Sequence, residues 1–210
     1  MHRFLSTVSL AALLAAQQAC GPADSSAPPR PQNQSAASAP AVLKPGDAVP
    51  DSMLTGHDGQ PFSLASRQPR MVLLTFIFTR CSAMEFCPRM SQKFTDMRRK
   101  LDATSWKDSV ELVSVTLDPE HDTAEVLAAY ARGVEATAGS WTFATCSREV
   151  LDGLQKSFGV RAAVSGATGA IEHNLVTVLI DGRGRLLRTW GGNTWAGDEV
   201  IEALSVAAGK

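Results

Sequence analysis

The sequence predicts an α/β domain in which helices cover both faces of a central sheet. First, an apolar segment at Met71–Thr79 is followed by a helical pattern and a second apolar segment, Val110–Leu117, as in a β-α-β unit. Second, helix and strand patterns continue to alternate after that unit. Third, Asp181-Gly182-Arg183-Gly184 separates two apolar runs and predicts a β-hairpin, because glycine tolerates the positive φ angles of such turns.

The β-α-β unit is the clearest part of the pattern. Met71–Thr79 (MVLLTFIFT) is rich in β-branched and aromatic residues, which predicts a strand buried on both faces. After Pro88, apolar residues recur at spacings of four, three and four, which is one face of a helix. These residues are Met90, Phe94, Met97 and Leu101. Val110–Leu117 then predicts a second, parallel strand.

The later elements follow in the same way. Asp122, with Glu125 three residues on, predicts the capping box of a second helix. A short strand is predicted around Trp141–Ala144, and two strands, Asn174–Ile180 and Leu186–Trp190, flank the hairpin turn. Two further helices are predicted from their apolar residues, which are Val150, Leu151, Leu154 and Phe158 in one and Val200, Ile201 and Leu204 in the other.

The charge balance argues against a nucleic-acid partner. The chain has 20 Lys and Arg residues against 21 Asp and Glu residues, a net charge of -1. Such a chain has no broad basic field that could hold a phosphate backbone. With 44% hydrophobic residues, it has enough apolar side chains to build a domain core.

Residues 1–19 predict an export signal. Basic Arg3 precedes an apolar run, Phe4–Ala16, which is shorter than the ~20 residues that span a bilayer as a helix. Ala19 and Cys20 then resemble the lipobox of bacterial lipoproteins, although Gln17 stands where that pattern prefers Leu. We therefore predict a lipid anchor on Cys20, at the periplasmic side of a bacterial membrane. The alternative is ordinary cleavage near Ala19, which leaves Cys20 as a free thiol.

Residues 20–45 predict a flexible linker. Between Gly21 and Pro45 the chain has six prolines, six alanines and four serines, with almost no large apolar residue that could enter a core. The folded domain is predicted to extend from Gly46 to the end of the chain, residues 46–210.

Two cysteines mark the predicted site. Cys81 and Cys87 lie where the first buried strand ends and its helix begins, the edge of an α/β sheet at which ligands gather. Pro88 suits the first helical position, which would put Cys87 at the cap, where free amides and the helix dipole favour a thiolate. Such a pair can bind a soft metal or exchange with disulfides. Two buried core cysteines and a plain stabilising disulfide are the alternatives without such a function.

Several segments together resemble the Sco/SenC family. They are TFIFTRC (75–81) with CPRM (87–90), VTLDPE (115–120) followed by Asp122, WTF (141–143), and EHN (172–174) before a strand that ends at Asp181. Members of that family are exported, membrane-tethered proteins that bind copper and help to assemble the dinuclear copper site of cytochrome oxidase. The resemblance runs from about Gly46 to the C-terminus. It implies a thioredoxin-like fold with a central mixed sheet flanked by helices.

The resemblance also implies a site and a function. By position, Cys81, Cys87 and His173 are the copper ligands, with one copper per domain held as Cu(I) or Cu(II). Two thiolates and one imidazole form a soft site of the kind that copper prefers. The copper would pass to cytochrome c oxidase subunit II or another acceptor protein. Asp118, at the end of a strand, is predicted either to contact this site or to form a turn.

One feature departs from the family pattern. Five residues, 82–86, separate the two cysteines, whereas the family motif has three. Met84 within this loop is a further soft donor, and Glu85 is predicted to be a solvated charge. Among the residues outside the site, we predict that Cys146 is a half-buried structural residue. His57 and His121 are predicted to be exposed to solvent, and Trp190 and Trp195 to close the sheet or to present an aromatic surface.

Two other functions use the same cysteines. In a thiol-disulfide oxidoreductase, one thiol attacks a substrate disulfide and the other resolves the mixed disulfide. In a redox sensor, a reversible Cys81–Cys87 disulfide is itself the signal. Against the enzyme stand the spacing, since such enzymes usually have C-x-x-C, and the lack of any proline after Pro119 to face the cysteines.

Overall fold

The structure is a computed structural model that describes residues 42–81, 83, 85–136, 139–166 and 170–209. The predicted export signal, Cys20, most of the predicted linker and Met84 lie outside these residues. The strands are β1 (Met53–Gly56), β2 (Pro61–Ser63), β3 (Met71–Ile77), β4 (Val110–Thr116), β5 (Trp141–Thr145), β6 (Ala162–Val164), β7 (Ile171–His173), β8 (Val176–Ile180) and β9 (Leu186–Gly191). The α-helices are α1 (Cys87–Asp102), α2 (Ala124–Gly133), α3 (Arg148–Phe158) and α4 (Gly197–Ala207).

The main sheet is mixed, as predicted. Its strand order is β2-β1-β5-β4-β3-β8-β9. The three central strands β3, β4 and β5 run parallel, and the pairs on either side are antiparallel. Every residue of β4 and β8 is buried, which agrees with strands covered on both faces. A separate two-stranded hairpin, β6–β7, was not predicted.

Helices cover both faces of this sheet. The apolar sides of α1, α2 and α4 pack on one face, and that of α3 packs on the other. The predicted apolar face of α1 is confirmed, because its four residues are at most 2% exposed: Met90, Phe94, Met97 and Leu101. The predicted β8–β9 hairpin is also confirmed, with Gly184 at φ +75° and the Asp181 carboxylate accepting from the backbone N–H groups of Arg183 and Arg185.

Two helix starts differ from the prediction. Helix α2 is capped by Thr123, whose hydroxyl accepts from the N–H of Val126, so the predicted capping box at Asp122 is wrong. The Asp122 side chain instead turns toward the segment after β3. Helix α1 begins at Cys87 itself, with Phe86 as its cap, one residue earlier than Pro88 suggested.

The register of β3 and β8 brings distant parts of the chain together. Thr75 of β3 pairs with Thr177 of β8 in antiparallel orientation. Four residues beyond Thr75 the chain reaches Thr79, and four residues before Thr177 it reaches His173. The segment that carries Cys81 and the end of β7 therefore meet at one edge of the sheet.

The first described residues already contact the domain. The N–H of Leu43 donates to the carbonyl of Ser157 at 2.8 Å, and that of Gly46 donates to the carbonyl of Leu186 at 2.8 Å. Among the described residues, contacts with the rest of the domain are therefore already present three residues before the predicted start at Gly46. In the described part of the chain, no helix has the length and apolar character needed to cross a membrane.

Candidate metal centre

The site lies at the carboxyl edge of the parallel strands. The segment after β3 carries Cys81, the segment after β4 carries Asp118, and α1 begins at Cys87. This is the edge at which α/β sheets bind ligands, because several loops converge there. The sequence analysis predicted that the cysteines lie at this edge. His173 reaches the same edge because β8, which follows it, runs antiparallel to β3.

Cys87 and His173 face each other directly. The Cys87 Sγ atom lies 3.7 Å from Nε2 of His173, although the residues are 86 positions apart in the chain. On the other side of the ring, the Nδ1–H of His173 donates to the carbonyl oxygen of Asn174 at 2.9 Å. A proton on Nδ1 leaves the lone pair of Nε2 free on the side of the thiol. The Phe78 ring packs edge to face on the imidazole, with centroids 5.8 Å apart.

Cys81 completes the group. Its thiol interacts with that of Cys87, and both thiols are free rather than joined in a disulfide. The Cys81 N–H donates to the carbonyl of Phe78 at 3.3 Å, which forms a turn directly after β3. The structure therefore brings all three predicted ligand residues together.

Burial governs the protonation of the site. Burial of Cys87 raises the pKa of its thiol to about 12. The backbone hydrogen bond with Phe78 lowers this pKa, and the neighbouring Cys81 thiol raises it. The thiolate expected at the start of α1 is therefore wrong for the metal-free protein, because burial favours the neutral thiol. Burial also lowers the pKa of His173, which favours the neutral imidazole that a metal ion requires.

A cavity of about 500 Å³ opens onto the site. Its walls are mostly apolar, and they include Cys81 and His173 but not Cys87, which is only 1% exposed. The other lining residues are Phe78, Arg80, Ala83, Phe86, Asp118, Ala170, Ile171 and Glu172. A molecule that enters the cavity therefore meets Cys81 and His173 before Cys87.

Asp118 contacts the cysteine segment through Arg80. Its carboxylate accepts from Nε of Arg80 at 3.1 Å and from the terminal guanidinium nitrogen at 2.6 Å. Asp118 also forms the predicted turn, since its carbonyl accepts from the N–H of Asp122 at 2.8 Å. Asp118 thus acts on Arg80, the residue beside Cys81.

Asp122 is the functional residue that sequence reasoning missed. It is fully buried, and its carboxylate accepts from the N–H and hydroxyl of Thr79, from the hydroxyl of Thr116, and contacts Nδ1 of His121. Asp118, His121 and Asp122 place potential ligand atoms within 4.8 Å of one another, but Arg80, Thr79 and Thr116 already occupy the two carboxylates.

Other predictions concern residues away from the thiols. The two histidines predicted to be solvent-exposed are both only partly exposed, and each makes a hydrogen bond within the domain. His57 is half-buried and accepts from the N–H of Phe143 at 3.1 Å, and His121 bonds to Asp122. Cys146 is half-buried, as predicted, and burial raises its pKa to about 11. Trp190 and Trp195 are 6% and 5% exposed, so they close the sheet and present no aromatic surface.

Comparison with known proteins identifies the family. A family model described as SCO1/SenC matches residues 43–208. The chain belongs to the SCO1/SenC family. The family includes copper-binding proteins and assembly proteins of cytochrome oxidase, as the resemblance of the sequence implied.

Two curated Sco proteins show how far the similarity extends. An SCO1 protein homolog of Bacillus subtilis is 28% identical over 158 residues, which are 73% of this chain and 80% of that protein. The mitochondrial SCO1 homolog of Mus musculus is 26% identical over 144 residues, or 67% of this chain. The matched residues make up 49% of the mouse protein, so the chain spans about half the length of that relative.

Solved structures confirm the thioredoxin-like fold. A SCO1/SenC family lipoprotein from Bacillus anthracis superposes with a TM-score of 0.70 at 22% identity, covering 80% of this chain and 99% of that one. Copper-bound ScoI of Arabidopsis thaliana gives a TM-score of 0.66 at 20% identity, covering 76% and 99%. BsSco, described as a member of the Sco family of cytochrome c oxidase assembly proteins, gives 0.67 at 26% identity, covering 80% and 99%.

Proposed function

We propose that this Sco-family chain carries copper and delivers it to the dinuclear copper site of cytochrome c oxidase. The observation that carries the proposal is the 3.7 Å approach of Cys87 Sγ to His173 Nε2, beside the thiol of Cys81. With bonds of about 2.3 Å to sulfur and 2.0 Å to nitrogen, as in metal sites with these ligands, that separation corresponds to an angle of about 120° at one shared ion. Two ligands of one three-coordinate ion have this spacing.

The donor set suits copper in both oxidation states. Two thiolates bind Cu(I) strongly, and the addition of a neutral imidazole extends the set to Cu(II). The neutral form of His173 and its free Nε2 support this assignment. Both thiols lose their protons when the metal binds, so loading one copper per domain releases protons to solvent.

The shape of the site supports an order of transfer. Cys81 and His173 line the open cavity, whereas Cys87 is buried behind them. Acceptor cysteines that enter the cavity replace Cys81 and His173 first, and Cys87 releases the ion last. The proposed acceptor is subunit II of cytochrome c oxidase.

We place the carrier on the periplasmic side of a bacterial membrane, held there by a lipid on Cys20, and a similar fold in a Bacillus anthracis lipoprotein supports that placement.

Copper titration of the reduced protein tests the proposal. We expect about one equivalent of copper and thiolate-to-Cu(II) charge-transfer bands. The variant His173→Ala should weaken Cu(II) binding severely and Cu(I) binding less, because two thiolates still hold Cu(I). Cys81→Ala or Cys87→Ala should impair both. His57→Ala, which alters a half-buried histidine bonded to Phe143, is the matched control and should leave copper binding unchanged.

The longer loop adds one further variant to that experiment. Met84 or Glu85, both between the cysteines, could replace the lost imidazole in His173→Ala. The double variant His173→Ala, Met84→Ala removes the softer of these donors. Unchanged Cu(II) affinity and spectrum in both the single and the double variant would contradict the proposed site.

The adjacent free thiols of Cys81 and Cys87 also suit thiol-disulfide exchange. An oxidoreductase needs the two thiols but not the imidazole, so its rate of disulfide reduction should survive His173→Ala. Neither residue between β7 and β8, Asn174 or Leu175, is the proline that such enzymes place there. Copper carriage is therefore the function that the site supports best.

A further inference from the structure

Asn174 closes the base of the hairpin that carries His173. Its side-chain oxygen accepts from the N–H of Arg161 at 2.6 Å, and its side-chain amide donates to the carbonyl of Gly159 at 3.1 Å. Its backbone N–H donates to the carbonyl of Arg161 at 3.2 Å. Three hydrogen bonds thus join the residue after β7 to the segment that links α3 to β6.

The fourth contact of Asn174 reaches the imidazole. Its backbone carbonyl accepts from Nδ1–H of His173 at 2.9 Å, on the side of the ring opposite Cys87. The position of this carbonyl decides both the ring orientation and which nitrogen carries the proton. A movement of Asn174 would therefore change the direction in which the Nε2 lone pair of His173 points.

Apolar packing supports this hairpin mainly through Ile171 of β7, which packs against the core on both faces of the sheet. All three residues of β6 are exposed, including Val164 at 67%, and β7 is only half-buried. His173 lies between two cavities, of about 500 Å³ and about 640 Å³, so open space adjoins it on both sides. Phe78 contacts the ring from the protein interior. The hydrogen bonds at the base therefore act together with the packing of Ile171 to hold the hairpin in place.

We propose that Asn174 is a positioning residue, which fixes the proton of His173 on Nδ1 and aims Nε2 at the thiols. This inference rests on the proposed function, because it assigns Asn174 a role in copper binding. It nonetheless makes a statement about the metal-free protein, which can be measured without copper.

The first measurement is the tautomer of His173 in the copper-free, reduced protein at pH 8, from the ¹⁵N chemical shifts of its two ring nitrogens. In the unmodified protein we expect the Nδ1–H form. In Asn174→Ala, which removes both side-chain bonds, we expect a mixture of the two neutral tautomers. Ser147→Ala is the matched control, since it removes the cap at the other end of α3 and should leave the tautomer unchanged.

The second measurement is Cu(II) affinity. Loss of a residue that holds a ligand typically weakens metal binding about 10- to 100-fold, so Asn174→Ala should do so, with a smaller effect on Cu(I). In the His173→Ala background the same substitution should change Cu(II) affinity by less than about twofold, because the ring that Asn174 positions is gone. Asn174→Asp keeps the acceptor for Arg161 but loses the donor to Gly159, and should have an intermediate effect.

The outcomes separate the two proposals. If His173→Ala and the double variant His173→Ala, Met84→Ala both leave Cu(II) binding unchanged, the proposed function fails, while the tautomer measurement still decides the role of Asn174. If His173→Ala weakens Cu(II) binding but Asn174→Ala changes neither the tautomer nor the affinity, the inference about Asn174 is overturned. If Asn174→Ala does not fold, Asn174→Asp gives the same decision, because an unchanged tautomer and affinity in that variant also overturn it.

Discussion

The carboxylate of Asp122 accepts a hydrogen bond of 3.0 Å from the backbone N–H of Thr79, two residues before Cys81. The same carboxylate accepts from the hydroxyls of Thr79 and Thr116, and it is completely buried. It therefore ties the segment that carries Cys81 to the end of β4.

Removal of this carboxylate should be costly. Asp122→Ala leaves the N–H of Thr79 and two hydroxyls without their acceptor, and we expect a loss of about 3 kcal/mol in the free energy of unfolding. The exposed residue Asp108 offers the control, because Asp108→Ala should change stability by less than about 0.5 kcal/mol. Denaturant unfolding of both variants measures the difference. Equal stability of the two would show that the buried network contributes nothing.

The three described cysteines should differ in reactivity toward iodoacetamide. Cys81 is half-exposed and lines the cavity, so it should react first, whereas Cys87 is 1% exposed and should react last. Peptide mapping by mass spectrometry after short exposures reports the order. Modification of Cys87 as fast as Cys81 in the folded protein would be incompatible with this structure.

Cys146 should show a distinct pH dependence in the same experiment. Only the thiolate reacts, and burial raises the pKa of Cys146 to about 11. Its alkylation rate should therefore rise about tenfold per pH unit between pH 8 and pH 10, without a plateau. Cys146→Ser should leave copper stoichiometry unchanged, since the thiol contacts the core cluster around α3. A plateau below pH 9 would contradict the raised pKa.

Glu135 offers a site for stabilisation. It follows α2 with φ at +56°, a conformation that costs a residue with a Cβ roughly 1 kcal/mol. Glu135→Gly should raise the free energy of unfolding by about 0.5–1 kcal/mol, because the ion pair that it removes, between Glu135 and Arg99 at 3.7 Å, joins two exposed side chains and is weak. Glu135→Ala loses the same pair but keeps the unfavourable φ, so it should bring no gain. A lower melting temperature for Glu135→Gly would refute the explanation.

The predicted lipid anchor can be tested by cell fractionation. Cys20→Ala should release the protein from the membrane fraction, because the anchor is predicted to be attached to that residue. Circular dichroism should show an unchanged domain. Retention of the variant in the membrane would identify the apolar run Phe4–Ala16 as the anchor instead.

Local patterns in the sequence predicted the architecture well. A helix could be predicted from the spacing of apolar residues between Met90 and Leu101, because this periodicity reflects burial of one helix face. A strand could be predicted from the continuous apolar run that begins at Met71, because such a run reflects burial on both faces. The cysteines could likewise be placed from their position after a strand. His173 was assigned only through the family resemblance, because a residue 86 positions away joins the site through the register of β8 on β3.

The supporting contacts could not be predicted in this way. The sequence around Asp122 fits a capping box, and only the fold shows that Thr79 lies close enough to donate a hydrogen bond to the Asp122 carboxylate. Asn174 gives no signal beyond its place after His173, since its partners follow a different helix. The thiol pKa of Cys87 was predicted with the wrong sign because burial depends on the whole domain, whereas the helix dipole is local.

Because His173 reaches the cysteines through the antiparallel pairing of β8 with β3, its imidazole joins the site late in folding. A nascent chain has two thiols close together in sequence, but it acquires His173 only after α1, two further helices and four further strands have been added. Closure of so long a loop is among the slow steps of folding. Copper captured before that step would be held by thiols alone. In the proposed three-ligand site, Cu(II) binding would therefore require a fully folded domain, and incompletely folded molecules would bind that ion poorly.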